Sequence, residues 1–348
     1  MSLKLRPPLP SKLDGLRYVA GSPGVEGAIR LNTNELPYPP SPRVRHEISS
    51  AVGGINGYPH PAGEPLRSQL ARHHGLAPEN ILVGAGADGL LDTVFRAFVR
   101  PGDTVGLTRP AYPVMPVLCA VYAVRTGARD WPVREPYDAG DAVVSFVANP
   151  NSPTGEWLSP PEFEDRFGSV AGLVVIDEAY APFTGRSMVE VLDRHPNWIV
   201  VQTFSKGYAL AGLRIGYAVA APELIDEMAG AQLPYPVSTV ALRAAGAALE
   251  DDEYNRSTLE LILAERERLV AGLTGHGWHC PASEANFVYA RPPSGDAARV
   301  HRELARRNVL VRYFPAIDET RLRISVGTTG QTDALLDHVG ALGAGEQP

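Results

Sequence analysis

A lysine, an aspartate and a tyrosine stand just past two uninterrupted apolar runs of this sequence, where side chains can do chemistry. In Val174-Val175-Ile176-Asp177-Glu178-Ala179-Tyr180 a strand-like run delivers a carboxylate and, three residues later, a phenol. In Trp198-Ile199-Val200-Val201-Gln202-Thr203-Phe204-Ser205-Lys206-Gly207 a second run delivers hydroxyls and an amine. Open α/β sheets bind ligands outside the carboxyl ends of their strands, so both sets would meet on one rim. Neighbouring strands lie about 4.8 Å apart, a scale that suits an aromatic ring held between an acid and an amine. The spacing does not by itself make the two strands neighbours.

Two turns add polar groups to such a rim. Gly84-Ala85-Gly86-Ala87-Asp88-Gly89 lies between a short apolar run and a helical pattern, so its amides would point at an anion with the helix dipole behind them. Asn149-Pro150-Asn151-Ser152-Pro153-Thr154-Gly155 follows another apolar run and offers amides and carboxamides to a planar polar ligand. Each piece also has an ordinary reading. A lone lysine is usually a solvated charge, Asp-Glu after a strand commonly caps a helix, and Pro-Thr-Gly is routine turn chemistry. Their joint order along one chain favours function.

The elements that must position these groups read as alternating helix and strand. Helical periodicity marks 64–74 and 90–99, and apolar runs without alternation mark strands at 81–83, 105–107, 143–147, 173–176, 199–201 and 215–219. Strands apolar on both faces belong to a doubly wound, mostly parallel sheet covered by helices, an α/β fold. A long helical stretch at 239–273 precedes a change of texture, with alternating strands at 286–289 and 321–326, so a smaller α+β domain is expected to begin near Asp252. The proline-rich opening reads as an extended arm that packs on something else.

Composition bounds what the fold serves. At 348 residues the chain has material for two domains, or one large and one small. A net charge of −7, with 39 acidic against 32 basic side chains and no basic run, argues against a nucleic-acid or membrane partner. Cys119 and Cys280 are too few and too far apart for a disulfide framework or a zinc site, and are expected as buried, reduced thiols. The opening lacks the apolar core of a signal peptide, so a cytoplasmic protein is expected.

The sequence resembles the histidinol-phosphate aminotransferase family of fold-type I, class I/II enzymes dependent on pyridoxal 5′-phosphate, over nearly its whole length. The matching residues run in order: Leu31-Asn32-Thr33-Asn34-Glu35, Tyr58-Pro59, Gly86-Ala87-Asp88, Asn151-Ser152-Pro153-Thr154-Gly155, Asp177-Glu178-Ala179-Tyr180, Ser205-Lys206, Leu210–Tyr217, Ala285-Asn286-Phe287, Asn308–Arg312 and Leu322–Gly327. The resemblance implies a large cofactor-binding domain at 42–251 and a small domain built from 252–348 with an N-terminal arm, 1–41. It implies that Lys206 holds the cofactor as a Schiff base and then shuttles a proton, that Asp177 pairs with the pyridine nitrogen, and that Tyr180 hydrogen-bonds the phenolic oxygen. Arg214, Ser205, Thr203 and the turn Gly86, Ala87 and Asp88 would hold the phosphate. Tyr112 would stack on the ring, and Asn151 or Ser152 would reach the phenolic oxygen. Tyr58 would reach the site of a second copy, which implies a homodimer. Arg323 would clamp a substrate carboxylate, with Asn34 and Tyr18 also on the substrate side. The reaction implied is ping-pong transamination between an amino donor and a 2-oxo acid such as 2-oxoglutarate, without a metal.

Three rivals stand beside it. Gly84, Gly86 and Gly89 fit the glycine pattern of an NADP-dependent oxidoreductase, although the acidic residue that pattern needs at the end of the next strand is absent, where Thr108-Arg109 stand instead. Decarboxylases of phosphorylated amino acids share the cofactor, and a non-catalytic cofactor-binding scaffold is the third. The chain departs from the family at Gly89, Met115, Ser152 and Thr328-Thr329-Gly330-Gln331, departures that bear on the substrate pocket more than on the cofactor.

Overall fold

Alternate residues of the central apolar runs feed two separate cores, which is why those runs show no alternation. In this computed structural model, which describes Leu16 and residues 18–344, Val174, Ile176, Trp198 and Val200 pack into one core. Val175, Ile199 and Val201 pack into another on the opposite face. All seven are fully buried, as strands sandwiched between helices require.

In chain order the strands are β1 (Ile29–Leu31), β2 (Ile81–Gly84), β3 (Thr104–Arg109), β4 (Arg125–Asp130), β5 (Ala142–Ala148) and β6 (Leu173–Asp177). They continue as β7 (Trp198–Thr203), β8 (Gly216–Ala220), β9 (Phe287–Ala290), β10 (Val309–Tyr313) and β11 (Leu322–Ser325). Seven of them form a mixed sheet in the order β2-β8-β7-β6-β5-β3-β4. The pairs from β7 to β4 are parallel, and β8 runs antiparallel to both its neighbours. The helix Gly86–Phe98 covers one face, and Pro160–Phe167 and Thr239–Leu249 cover the other. This is the fold-type I architecture that the sequence led us to expect. The other four strands form a second sheet, β1-β10-β11-β9. Its core is Phe287, Val309, Leu322 and Ile324, with Ile262, Leu269 and Leu273 of the helix Asp252–Gly275 packed on them.

Several boundaries differ from the sequence reading for physical reasons. The expected helix at 90–99 begins earlier, at Gly86, because the glycine turn is itself the first helical turn. The helix expected at 64–74 begins at Leu66, after Pro65. The single helical stretch expected at 239–273 is two helices, Thr239–Leu249 and Asp252–Gly275, with Glu250 and Asp251 leaving helical geometry between them. That break carries the chain from the core of the larger sheet to that of the smaller one.

The oxidoreductase alternative fails on topology. β2 lies at the sheet edge and pairs only with antiparallel β8, while the helix after its glycine turn leads to β3 near the opposite edge. A dinucleotide fold instead needs consecutive parallel strands side by side. No helix among the described residues is long and apolar enough to cross a membrane, and no three His, Cys, Asp or Glu side chains among them cluster to hold a metal ion. Cys119 is buried, Cys280 half-buried, and both thiols are free. The proline-rich opening, residues 1–15, lies outside the described residues.

Candidate active site

β6 and β7 are adjacent and parallel, with Asp177 opposite Val201, so the acid and the amine do rise from neighbouring strands. Both border one cavity of about 260 Å³, which also meets Ala148 at the end of β5, Pro150 just past it, and Arg312 and Arg323 of the smaller sheet. Burial pushes the Asp177 carboxyl up to about 7, against the Ala179 amide, which donates to Oδ1 at 3.0 Å, and with Asp88 adding to the rise. Burial likewise lowers Lys206 to about 8, helped by Arg323 and Arg214 and opposed by Glu35 and Asp88. Its Nζ donates to the Thr33 carbonyl at 2.8 Å. An amine so lowered is neutral in about a tenth of molecules at pH 7, far more than an ordinary lysine, which favours a nucleophilic role.

Tyr180 stands over the same cavity with its phenol edge-on to Phe287, ring centroids 5.1 Å apart. Burial raises its pKa. The hydroxyl accepts from Asn34 Nδ2 at 2.8 Å. Asn34 itself is buried beneath the cavity. Its amide and Oδ1 both meet Ser325 Oγ, and its carbonyl accepts from Asn286. Its side chain therefore orients Tyr180 from below.

One end of the cavity is built for an anion. The helix Gly86–Phe98 presents its first-turn amides there, with Ala87 and Asp88 on the wall. Ser205, Thr203 and Arg214 face them, and the Arg214 guanidinium reaches Ser205 Oγ at 3.4 Å and Asp88 at 3.3 Å. Gly86 has φ +73°, and a Cβ there would meet Arg214 Nη2 at 3.1 Å, so the approach of the guanidinium to the helix end depends on glycine. Tyr112 lines the wall and donates to Asp88 at 3.2 Å.

The opposite end is also cationic. Arg323 is 7% exposed and lies between the rings of Phe287 and Phe314, at 5.3 and 5.2 Å. It donates to the Asn32 carbonyl at 3.0 Å and to Ser152 Oγ at 3.4 Å. β11 is an interior strand, so Arg323 is not a solvated edge-strand charge. Arg321 points elsewhere, pairing with Asp318 at 3.2 Å and lying over Tyr289. Sequence reasoning gave no role to Arg312, Phe314 or Asn32, which all line the cavity. Arg312 was visible as a motif residue, but its position beside Arg323 depends on strand register.

The remaining expected residues separate. Tyr18 lines the cavity, and its ring meets Tyr112 edge-on at 6.4 Å. Ser152 lines it too. The Asn151 side chain is spent within the protein, accepting from Thr154 of its own turn and donating to the Pro110 carbonyl just past β3. Tyr58 is 84% exposed, stacks on Tyr235 at 4.5 Å, and does not line the cavity of its own chain.

Pyridoxal 5′-phosphate is a flat ring with a dianionic phosphate, an aldehyde and a basic ring nitrogen. The cavity offers groups suited to these: helix amides with Arg214 and Ser205, an amine of lowered pKa, and a carboxylate on its wall. The residues fit the group.

Comparison with known proteins identifies the family. A histidinol-phosphate aminotransferase from Burkholderia lata is 37% identical over 334 residues, covering 92% of this chain and 94% of the relative. Another from Roseiflexus castenholzii is 40% identical over 332 residues, covering 90% of this chain and 89% of the relative. The crystal structure of histidinol-phosphate aminotransferase from Sinorhizobium meliloti, in complex with pyridoxal-5′-phosphate, superposes with a TM-score of 0.83 at 27% identity, covering 91% of each chain. The family model "Aminotransferase class I and II" matches residues 26–339, and this chain belongs to that family of pyridoxal-phosphate-dependent aminotransferases.

Proposed function

We propose that this aminotransferase takes amino donors carrying an anionic group, with histidinol phosphate or a close analogue as the donor and 2-oxoglutarate or a similar 2-oxo acid as the acceptor. The observation that carries the reading is the pair Arg312 and Arg323 at the end of the cavity away from the helix amides, neither paired with a carboxylate among the described residues. Three relatives named above act, by their names, on histidinol phosphate.

The cofactor supplies an electron sink for the pair of electrons left on the substrate carbon when its proton departs. The chain's own residues do the rest. Lys206 Nζ would hold the cofactor and, once freed, would carry the proton of the substrate carbon along the one face on which the amine stands. Asp177 holds a proton at the ring nitrogen, and Tyr180, oriented by Asn34, donates to the phenolic oxygen together with Ser152. Arg214, Ser205, Thr203 and the amides of Ala87 and Asp88 hold the phosphate, and Tyr112 covers the ring. Arg323 binds the carboxylate of the acceptor and the anionic group of the donor in turn, with Arg312 and Tyr18 beside it.

We further infer that residues 42–251 form the cofactor domain and that 252–348, joined by the N-terminal segment through β1, form the small one. The enzyme works as a homodimer in which the exposed Tyr58 serves the neighbouring site. Its free thiols suit the cytoplasm.

A screen of amino donors against the loaded enzyme, followed at the cofactor's absorbance, tests the donor assignment. Phosphorylated amines should convert the cofactor fastest. Preference for a neutral amino acid would overturn the anionic-donor reading, and CO2 release from a phosphorylated amino acid would redirect the reaction to decarboxylation.

A further inference from the structure

A chain of polar side chains leaves the acid side of the site and crosses three strands to the helix Leu66–His74. It begins at Glu178, which follows Asp177, is 1% exposed and does not line the cavity. Among the described residues its carboxylate touches no cation. It accepts instead from Ser187 Oγ and the Met188 amide, both at 2.6 Å, and from Gln202 Nε2 at 2.7 Å. Gln202 Oε1 accepts from the hydroxyl of Tyr217, its register partner across β7 and β8. Tyr217 in turn lies 3.1 Å from His74 Nε2.

The direction of these bonds is fixed. Tyr217 spends its only proton on Gln202, so His74 must donate through Nε2, and burial with neighbouring His73 pushes that imidazole down to about 4, into the neutral form. Every bond then points toward Glu178. A buried carboxylate without a cation is expensive, and burial with adjacent Asp177 raises this one to about 7. A fully satisfied network of this kind rigidifies what it joins.

What it joins is the two chemical strands. The β6–β7 ladder ends with the Glu178 amide donating to the Val201 carbonyl at 2.8 Å. Beyond that point the side-chain contact of Glu178 with Gln202 ties the strand ends, with Asp177 on one side of the tie and Lys206 four residues past Gln202 on the other. We propose that Glu178 and Gln202 are positioning residues whose clamp, anchored on Tyr217 and His74, sets the separation of the Asp177 carboxylate from the Lys206 amine. The proposal rests on the reading that those two groups flank the cofactor.

The test is a double-mutant cycle on the loaded enzyme with Glu178→Gln, Gln202→Met and the pair, both substitutions keeping side-chain volume. Each single variant should hold the cofactor, show a shifted absorption maximum, and lose about tenfold to a hundredfold in kcat with KM for the 2-oxo acid within about twofold. The double variant should be no worse than the poorer single one, because the two residues act as one unit. Gln202→Met leaves Glu178 two of its three donors, so it reports on the clamp even if Glu178→Gln folds poorly. Wild-type kcat per bound cofactor in the single variants, or losses that multiply in the double variant, would overturn the proposal. Lys206→Ala distinguishes the two levels: an active Lys206→Ala enzyme would remove the underlying reading, whereas an inactive one beside unaffected clamp variants would remove only the clamp.

Discussion

Arg312 and Arg323 are direct cross-strand partners in the antiparallel β10–β11 ladder, and their guanidiniums lie over the same ring, 4.9 and 5.2 Å from the centroid of Phe314. Like charges set opposite each other weaken a strand pair, by up to about 1 kcal/mol. The sheet carries that cost beside the cavity, where a doubly negative ligand would relieve it more fully than a singly negative one.

The two guanidiniums should therefore differ in which half-reactions their removal impairs. Arg323→Ala is expected to lower kcat/KM with both the donor and 2-oxoglutarate by about a hundredfold or more, since it takes away a buried, charge-assisted contact. Arg323→Lys should recover only part, because a point charge lacks the planar fork. Arg312→Ala should cost about tenfold, mostly in the KM of a phosphorylated donor. Stopped-flow traces of each half-reaction decide it, and unchanged kinetics with 2-oxoglutarate in Arg323→Ala would show that Arg323 is not the clamp.

Lys206→Ala is expected to abolish turnover and the absorbance of covalently held cofactor while leaving the melting temperature of the cofactor-free protein within a few degrees. The side chain stands at the cavity wall and its one hydrogen bond is to the Thr33 carbonyl. Substantial residual activity would move the central role elsewhere.

Asp177→Asn should bind cofactor yet lose about two to four orders of magnitude in kcat, since a neutral amide cannot hold the ring-nitrogen proton. Near-normal turnover would remove that role. A second readout follows from its pKa, raised from 3.8 to about 7. The folded protein keeps this proton where the unfolded chain has lost it, so the group's contribution to stability is complete below about pH 4 and fades as pH rises through 7. In the cofactor-free protein, Asp177→Asn should therefore gain stability relative to the parent between about pH 4.5 and 7.5. Melting curves that stay parallel across that range would contradict the raised pKa.

Gly86→Ala should weaken cofactor binding more than it weakens the fold. The added methyl meets the Arg214 guanidinium in a backbone conformation unfavourable to alanine, at a cost of about 1 kcal/mol or more. Equilibrium dialysis of the phosphate-bearing cofactor against its unphosphorylated form should show the loss for the phosphorylated form alone. An equal loss for both would place the damage outside the anion cradle.

The large sheet was legible because its strands are apolar on both faces and end in polar residues, so 173–176 and 199–201 announced both themselves and the groups they deliver. The site was legible where chemistry sits within a motif, as at Asp177 and Lys206. It was not legible where register decides. Nothing local in Val309–Tyr313 says that Arg312 lies opposite Arg323. Nor does sequence say that Asn34, at φ +55°, turns its amide under Tyr180 and away from the cavity, since that depends on Ser325 and Asn286 far along the chain. The same limit applies to Glu178, whose partners Ser187 and Gln202 come from separate segments.

β1 pairs in parallel with β10, and the segment after β1 supplies both the Thr33 carbonyl over Lys206 and the Asn34 side chain under Tyr180. Asn34 is held by Ser325, 291 residues further on. A growing polypeptide thus makes the Thr33–Asn34 side of its pocket early but cannot secure it until Ser325 has left the ribosome. The larger sheet has every strand it needs by Ala220 and can assemble while synthesis continues. Nascent chains stopped short of β10 should accordingly have the platform without the chamber, so that reactive chemistry on the lysine waits for the smaller sheet.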